Sequence, residues 1–174
     1  GGGNLDEGLI KRWLTKQLSY NNDKIFHNSL YDLGWLKRMG IEVNGKVHDT
    51  MFAAPLIDEN QYGYSLNKLG ERYVGEVKDE SLLKEAASAY GLDPKKDMWK
   101  LPAKYVGVYA EQDAALTLKL WEIFKELLRL ENVEAIYELE TSLIPILLEM
   151  RYKGVPVDLD KAEKVGKQLK KEEV

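Results

Sequence analysis

Residues 109–120 read YAEQDAALTLKL. Carried on to Leu130, the stretch places Tyr109, Asp113, Leu116, Leu120, Ile123, Leu127 and Leu130 at steps of 4, 3, 4, 3, 4 and 3. That spacing predicts one long helix from about Tyr105 to Leu130 with a single buried line. Asp113 stands in that line where a leucine belongs. An ionised carboxylate buried alone is costly, so a cation must face it or it must take up a proton. Tyr109 lies one turn earlier on the same face, so its hydroxyl and the carboxylate can face one site. A hydrogen-bonded structural aspartate is the competing reading, although mid-helix it lacks local backbone donors.

Working outward, the device recurs upstream. Asp32, Trp35, Leu36 and Met39 sit at i, i+3, i+4 and i+7 of a helix predicted from about Ser29 to Met39, with Gly40 just past its end. Asp32 heads that apolar stripe in the first turn, where an acid also simply complements the helix dipole. His27 and Asn28 end a short strand starting at Lys24, and strand-to-helix junctions are where ligand sites of α/β folds gather. Ile41-Glu42-Val43, the tight-turn pair Asn44-Gly45 and Lys46-Val47-His48 predict a hairpin. Asp49 or Thr50 caps a helix over Met51 to Ile57, and Ser65 caps another.

Toward the ends, Gly1-Gly2-Gly3 reads as a loop or a cloning scar. Asn4 and Glu7 fit a capping box for a first helix, with Leu5, Leu9 and Trp13 on a buried stripe beside Ile10, Leu14 and Leu18. Glu80 to Tyr90 reads as a helix. Ala135 to Tyr152 reads as another, with Pro145 demanding a kink or a later start. Residues 159–174 form a lysine-rich helix whose thin apolar line, Ala162, Val165 and Leu169, needs another surface to lean on. Few strands and many helices make an α/β chain, its small sheet covered by helices.

Composition narrows the chemistry. The chain has 174 residues, 44% hydrophobic and 31% charged, which excludes disorder. A net charge of −4 excludes a polybasic coat. No cysteine and two histidines exclude thiolate and His-rich metal sites. Metal chemistry must then be carboxylate chemistry, which favours Mg²⁺ or Mn²⁺. No apolar run spans a bilayer, and Asp6, Glu7, Lys11 and Arg12 interrupt any leader-like core at the start.

His27-Asn28-Ser29-Leu30-Tyr31-Asp32 resembles the second motif of the DEDD 3′–5′ exonucleases, and Tyr109-Ala110-Glu111-Gln112-Asp113 matches the Tyr-x3-Asp third motif of their tyrosine subtype. Asp49-Thr50-Met51 and Ser65-Leu66-Asn67-Lys68-Leu69 fall between them in the expected order. The whole resembles the proofreading domain of family A DNA polymerases, phage-type in particular. Glu140 to Asp158 resembles the entry into their polymerase domain, unlike RNase D-type enzymes. The family's first motif, Asp-x-Glu, occurs nowhere in the chain.

The resemblance implies a ribonuclease H-like (DnaQ-like) α/β fold whose N-terminal strands, carrying that motif, precede residue 1. It implies a partial exonuclease domain over 1–130 and the start of a polymerase domain over 131–174, in a chain that continues past Val174. It implies a two-metal site for Mg²⁺ or Mn²⁺, with Asp113 a direct ligand and Asp32 holding the second ion mainly through its water shell. Tyr109 orients the attacking water, and Asn28 and Tyr31 contact the single-stranded 3′ end of DNA. The resemblance also implies DNA and the rest of the polymerase as partners, with no membrane, in the cytoplasm of a bacterium or phage-infected cell. With one carboxylate pair absent, this chain alone is expected to bind metal weakly and cleave little. A catalytically dead scaffold supporting the polymerase and a stand-alone exonuclease on RNA or DNA are the alternatives. A helical interaction adaptor explains the amphipathic helices but not the acids. The nuclease reading requires Asp32 and Asp113 to face one site, free of lysine or arginine. In a purely structural chain or a metal-free site, Asp113→Leu is expected to stabilise by filling a core slot.

Overall fold

The computed structural model describes residues 4–173, leaving the glycine run at 1–3 and Val174 outside it. The described elements are α1 (Glu7–Leu18), β1 (Lys24–Phe26), α2 (Ser29–Arg38), β2 (Val47–Asp49), α3 (Thr50–Ile57), α4 (Leu66–Leu69), α5 (Ser81–Ala89), α6 (Ala103–Leu130), α7 (Glu134–Ser142), α8 (Ile144–Lys153) and α9 (Leu159–Glu172). A π-helical turn, Gly70–Val74, extends α4. The chain is thus helix-rich α/β, as the sequence predicts.

β1 and β2 pair in parallel, with Lys24 opposite Val47 and Phe26 opposite Asp49. The predicted hairpin does not form. Gly45 does take the positive φ of a tight turn, 90°, but the turn folds back onto the loop before β1 rather than onto residues 41–43. A Cβ at Gly45 would lie 2.1 Å from the Asn22 carbonyl oxygen, so that close approach demands glycine. Ile41 is buried in a side-chain cluster instead of a strand, with Leu33, Leu36 and Ile144. Burial of its side chain outweighs the weak gain of a two-residue hairpin.

The main core joins α3, α4, α6 and α7 through Ala53, Ala54, Leu69, Leu120, Phe124 and Tyr137. α6 buries Leu116, Thr117, Leu120, Trp121, Phe124 and Leu128. The predicted line through Ile123, Leu127 and Leu130 therefore gives way to one through Phe124 and Leu128, and Leu130 is 66% exposed. A strict seven-residue repeat drifts by about 20° per heptad on a straight α-helix, so a long line cannot stay on one side.

Two end helices also depart from expectation. α1 buries no residue; Leu5, Leu9, Ile10 and Trp13 are all exposed, while Leu14 and Leu18 lean on the Leu33 cluster. Its cap is Asp6, whose Oδ1 accepts from the Leu9 N–H at 2.8 Å, and Asn4 instead caps α6 by accepting from Ala103 N–H at 3.0 Å. The long-range bond satisfies an otherwise unpaired first-turn donor of α6, which the local capping box could not. The 135–152 helix breaks at Leu143, leaving Pro145 in the first turn of α8, where its missing N–H costs nothing. α9 forms, capped by Asp158, and buries no residue.

Candidate functional site

Asp49 ends β2, is fully buried, and fixes the start of two helices. Its Oδ1 accepts from Asn28 N–H at 3.0 Å and Met51 N–H at 2.8 Å, and its Oδ2 accepts from Ser29 N–H at 2.6 Å. It is the predicted cap of α3, and it also caps α2. Orphan N–H groups at helix starts bind an anion well because the dipole adds to the hydrogen bonds. Asn28 therefore enters α2 in a left-handed conformation, φ 70°, which an asparagine tolerates. His27 Nδ1 lies 2.9 Å from the Thr50 hydroxyl, which donates to Phe26 O at 3.1 Å. This junction sets where α2 points Tyr31 and Asp32.

A cavity of about 640 Å³ opens beside it, lined by His27, Asp32 and Trp35 from the β1–α2 segment, Asp113 from α6, and Lys78. A larger recess of about 810 Å³ lies between the 40–47 loop and α7–α8. Its lysines, Lys37 and Lys46, are each already paired with a glutamate, Glu149 and Glu138, so the reactive groups gather in the smaller cavity. Asp32 and Asp113 thus meet the first requirement: they face one space. Asn28 and Tyr31 are exposed and lie outside the lining. Tyr31 meets Trp35 edge-on with ring centres 6.3 Å apart, and Trp35 is itself 53% exposed.

The second requirement fails. Lys78, its side chain only 7% exposed, places Nζ 2.6 Å from Asp113 Oδ1. The same nitrogen donates to the Tyr109 hydroxyl at 2.9 Å and sits 4.4 Å from the centre of that ring. Asp113 is therefore not a free ligand: its side chain is only half-buried, short of the core slot that the sequence predicts, and its cation is supplied from the loop between the π-turn and α5. That loop is strapped to α6 by Asp79 N–H, which donates to Gln112 Oε1 at 3.1 Å, and by the Glu76–Lys119 ion pair. Burial works against the charge on Lys78, but its hydrogen bonds to Asp113 and Tyr109 and the negative charge of Asp113 prevail and raise its pKa. Burial pulls His27 below the usual imidazole range; the Lys78 ammonium adds to this, against Asp49 and Asp113. Desolvation lifts Asp32 above the usual carboxylate range, with the charge of Asp49 adding to it.

Whether these groups suit a divalent cation follows from their chemistry. Both acids offer hard oxygen donors. Asp113 Oδ1 is buried and meets the Lys78 ammonium at 2.6 Å, so the one buried carboxylate oxygen that a metal would take already faces a cation. Among the described residues no three acidic or histidine side chains cluster as a ready ligand set. The residues present fit two positions of a larger set.

Sequence reasoning missed Lys78, because nothing local marks a lysine in an irregular loop as the partner of a helix 35 positions on. It placed Trp35 on an apolar stripe; the i, i+4 spacing of Tyr31 and Trp35 on one helix was the available signal for an aromatic pair. No helix among the described residues is long and apolar enough to cross a membrane.

Comparison with known proteins shows the family. A family model described as 3′–5′ exonuclease matches residues 5–129. A DNA-directed DNA polymerase of Pseudomonas phage M6 is 39% identical over 168 residues, covering 95% of this chain and 25% of that protein. DNA polymerase DpoZ of Vibrio phage phiVC8 is 30% identical, covering 87% of this chain and 27% of that protein. DNA polymerase I of Rhizobium leguminosarum is 30% identical over 136 residues, 78% of this chain and 13% of that protein. The chain spans about a quarter of the length of the phage relatives.

Proposed function

The chain belongs to the 3′–5′ exonuclease family, and from that premise we propose that it is the proofreading segment of a family A DNA polymerase, contributing the second and third motifs of the nuclease site. The observation that carries the proposal is the shared cavity: helices far apart in sequence deliver Asp32 and Asp113 to one space, and Tyr109, outside its lining, reaches Asp113 through Lys78. In this reading Asp113 holds Mg²⁺ or Mn²⁺ directly and Asp32 holds a second ion, mainly through its water shell. Such a pair, when bound, supplies a hydroxide nucleophile and neutralises the leaving oxyanion. Tyr109 orients the attacking water through its hydroxyl, one helical turn from the ligand. Asn28 and Tyr31 hold the single-stranded 3′ end, and Trp35 widens the aromatic platform on which bases stack. Residues 131–174 lead into the polymerase part of the protein.

The Lys78–Asp113 pair favours a second reading, an exonuclease-like scaffold without catalysis. Anisotropy with a 5′-labelled single-stranded oligonucleotide in Mn²⁺, read alongside trimming of that oligonucleotide, separates the two. The nuclease reading expects affinity for a free 3′ end that falls about tenfold in Tyr31→Ala, the lower part of the stacking range of about 1–3 kcal/mol per base. It expects little or no trimming by this chain, and any trimming present to be abolished by Asp113→Asn. Trimming that survives Asp113→Asn overturns the site. Indifference to both the 3′ end and Tyr31→Ala favours the scaffold.

A further inference from the structure

We propose that the Lys78 ammonium is a built-in competitor for the cation position on Asp113, so that a divalent ion gains this carboxylate only by displacing the lysine. The inference rests on the metal-site reading above and adds how that site is kept closed. Three observations carry it. First, the lysine holds both groups the reaction assigns to α6: Nζ is 2.6 Å from Asp113 Oδ1 and 2.9 Å from the Tyr109 hydroxyl. Second, the pairing is built rather than incidental. The Lys78 side chain is 7% exposed, its charge lies over the Tyr109 ring, and its loop is pinned to α6 on both sides by Glu76–Lys119 and Asp79–Gln112. Third, the two cations exclude each other. Mg²⁺ bonds a carboxylate oxygen at about 2.0–2.1 Å. An ion on Oδ1 would therefore stand within about 5 Å of the ammonium, where like charges out of bulk water repel strongly. The flexible four-carbon stem of a lysine lets the ammonium swing away while the loop stays pinned.

The consequence is an Asp113 carboxylate that remains charge-balanced without metal, and a Tyr109 released from its donor only when metal arrives. Low metal affinity then has a specific cause in this chain, beyond the number of acids.

The test is a Mn²⁺ titration of the full chain at fixed pH, reading free Mn²⁺ by its electron paramagnetic resonance signal. Lys78→Met is expected to bind Mn²⁺ about tenfold more tightly than the unsubstituted chain. Lys78→Arg, which keeps the charge, is expected to stay weak. Asp113→Asn is expected to remove the tight binding from the Lys78→Met background. Equal or weaker binding by folded Lys78→Met overturns the proposal. Binding that is untouched by Asp113→Asn overturns the metal-site reading itself, a separate outcome. Should Lys78→Met not fold, the unsubstituted chain decides the matter by carbon NMR under Mg²⁺. The Lys78 ε-methylene signal must then move toward that of a free lysine as the Asp113 carboxyl signal responds. A static Lys78 signal beside a responding Asp113 overturns the proposal as firmly.

Discussion

Asp49→Ala is the sharpest test of how the site is held. The carboxylate accepts three backbone N–H groups, at 3.0, 2.6 and 2.8 Å, at the starts of α2 and α3. Ser29 is fully buried, so its N–H loses its partner and finds no water; an unsatisfied buried donor costs about 1–3 kcal/mol. Asn28 is exposed and Met51 is 41% exposed, so their N–H groups rehydrate in part. Losing a cap at each helix costs about 1 kcal/mol. The expected loss is about 3–5 kcal/mol, which for a chain of this size lowers Tm by about 6–20 °C. Asp49→Asn keeps one acceptor oxygen and is expected to lose about half as much. Urea and thermal unfolding followed by circular dichroism measure both. A loss below about 1 kcal/mol for the alanine variant refutes the double-cap account, as does an asparagine variant as damaged as the alanine one. The test matters for function because the same bonds set the entry of α2, and so the positions of Tyr31 and Asp32.

The remaining predictions concern charge. Asp113→Leu alone is expected to destabilise by about 1–3 kcal/mol, because it strands the buried Lys78 ammonium; the double variant with Lys78→Met is expected to regain most of that loss or exceed the starting stability. This reverses the sign that the core-slot argument predicts, and a single variant that unfolds at higher urea than the original chain refutes the ion pair. Acidification from pH 7.5 to 5.5 is expected to lower Tm. Burial depresses His27 and, against the opposing Asp23, His48 below 6.5, so the unfolded chain takes up protons that the folded one refuses. The stability these neutral imidazoles contribute is full above pH 6.5 and is lost as pH falls toward their folded pKa values. Asp32, raised above 3.8, acts with the opposite sign but only at lower pH. A Tm that is flat or rising on acidification over that range refutes the assignment.

Much of this molecule is legible in one dimension. Helices α2, α3, α5 and α6 and the break at Pro145 lie close to where periodicity and caps place them, because those signals act within one or two turns. That Asp113 needed a partner also followed from sequence, since a carboxylate among leucines is an energetic anomaly wherever the helix ends up; Asp32, at the head of its helix, stays exposed and, among the described residues, unpaired. Tertiary structure alone decided who the partners are. Lys78 reaches Asp113 because a loop folds across α6. Asp49 serves α2 as well as α3 because parallel pairing of β1 and β2 brings Asn28 and Ser29 to it. Asn4 caps α6 across 99 positions of chain. α1 stays exposed because an apolar stripe says only that a helix can be buried, not that a surface exists to bury it. Local patterns report what each segment needs; only packing in three dimensions determines which distant atom meets the need.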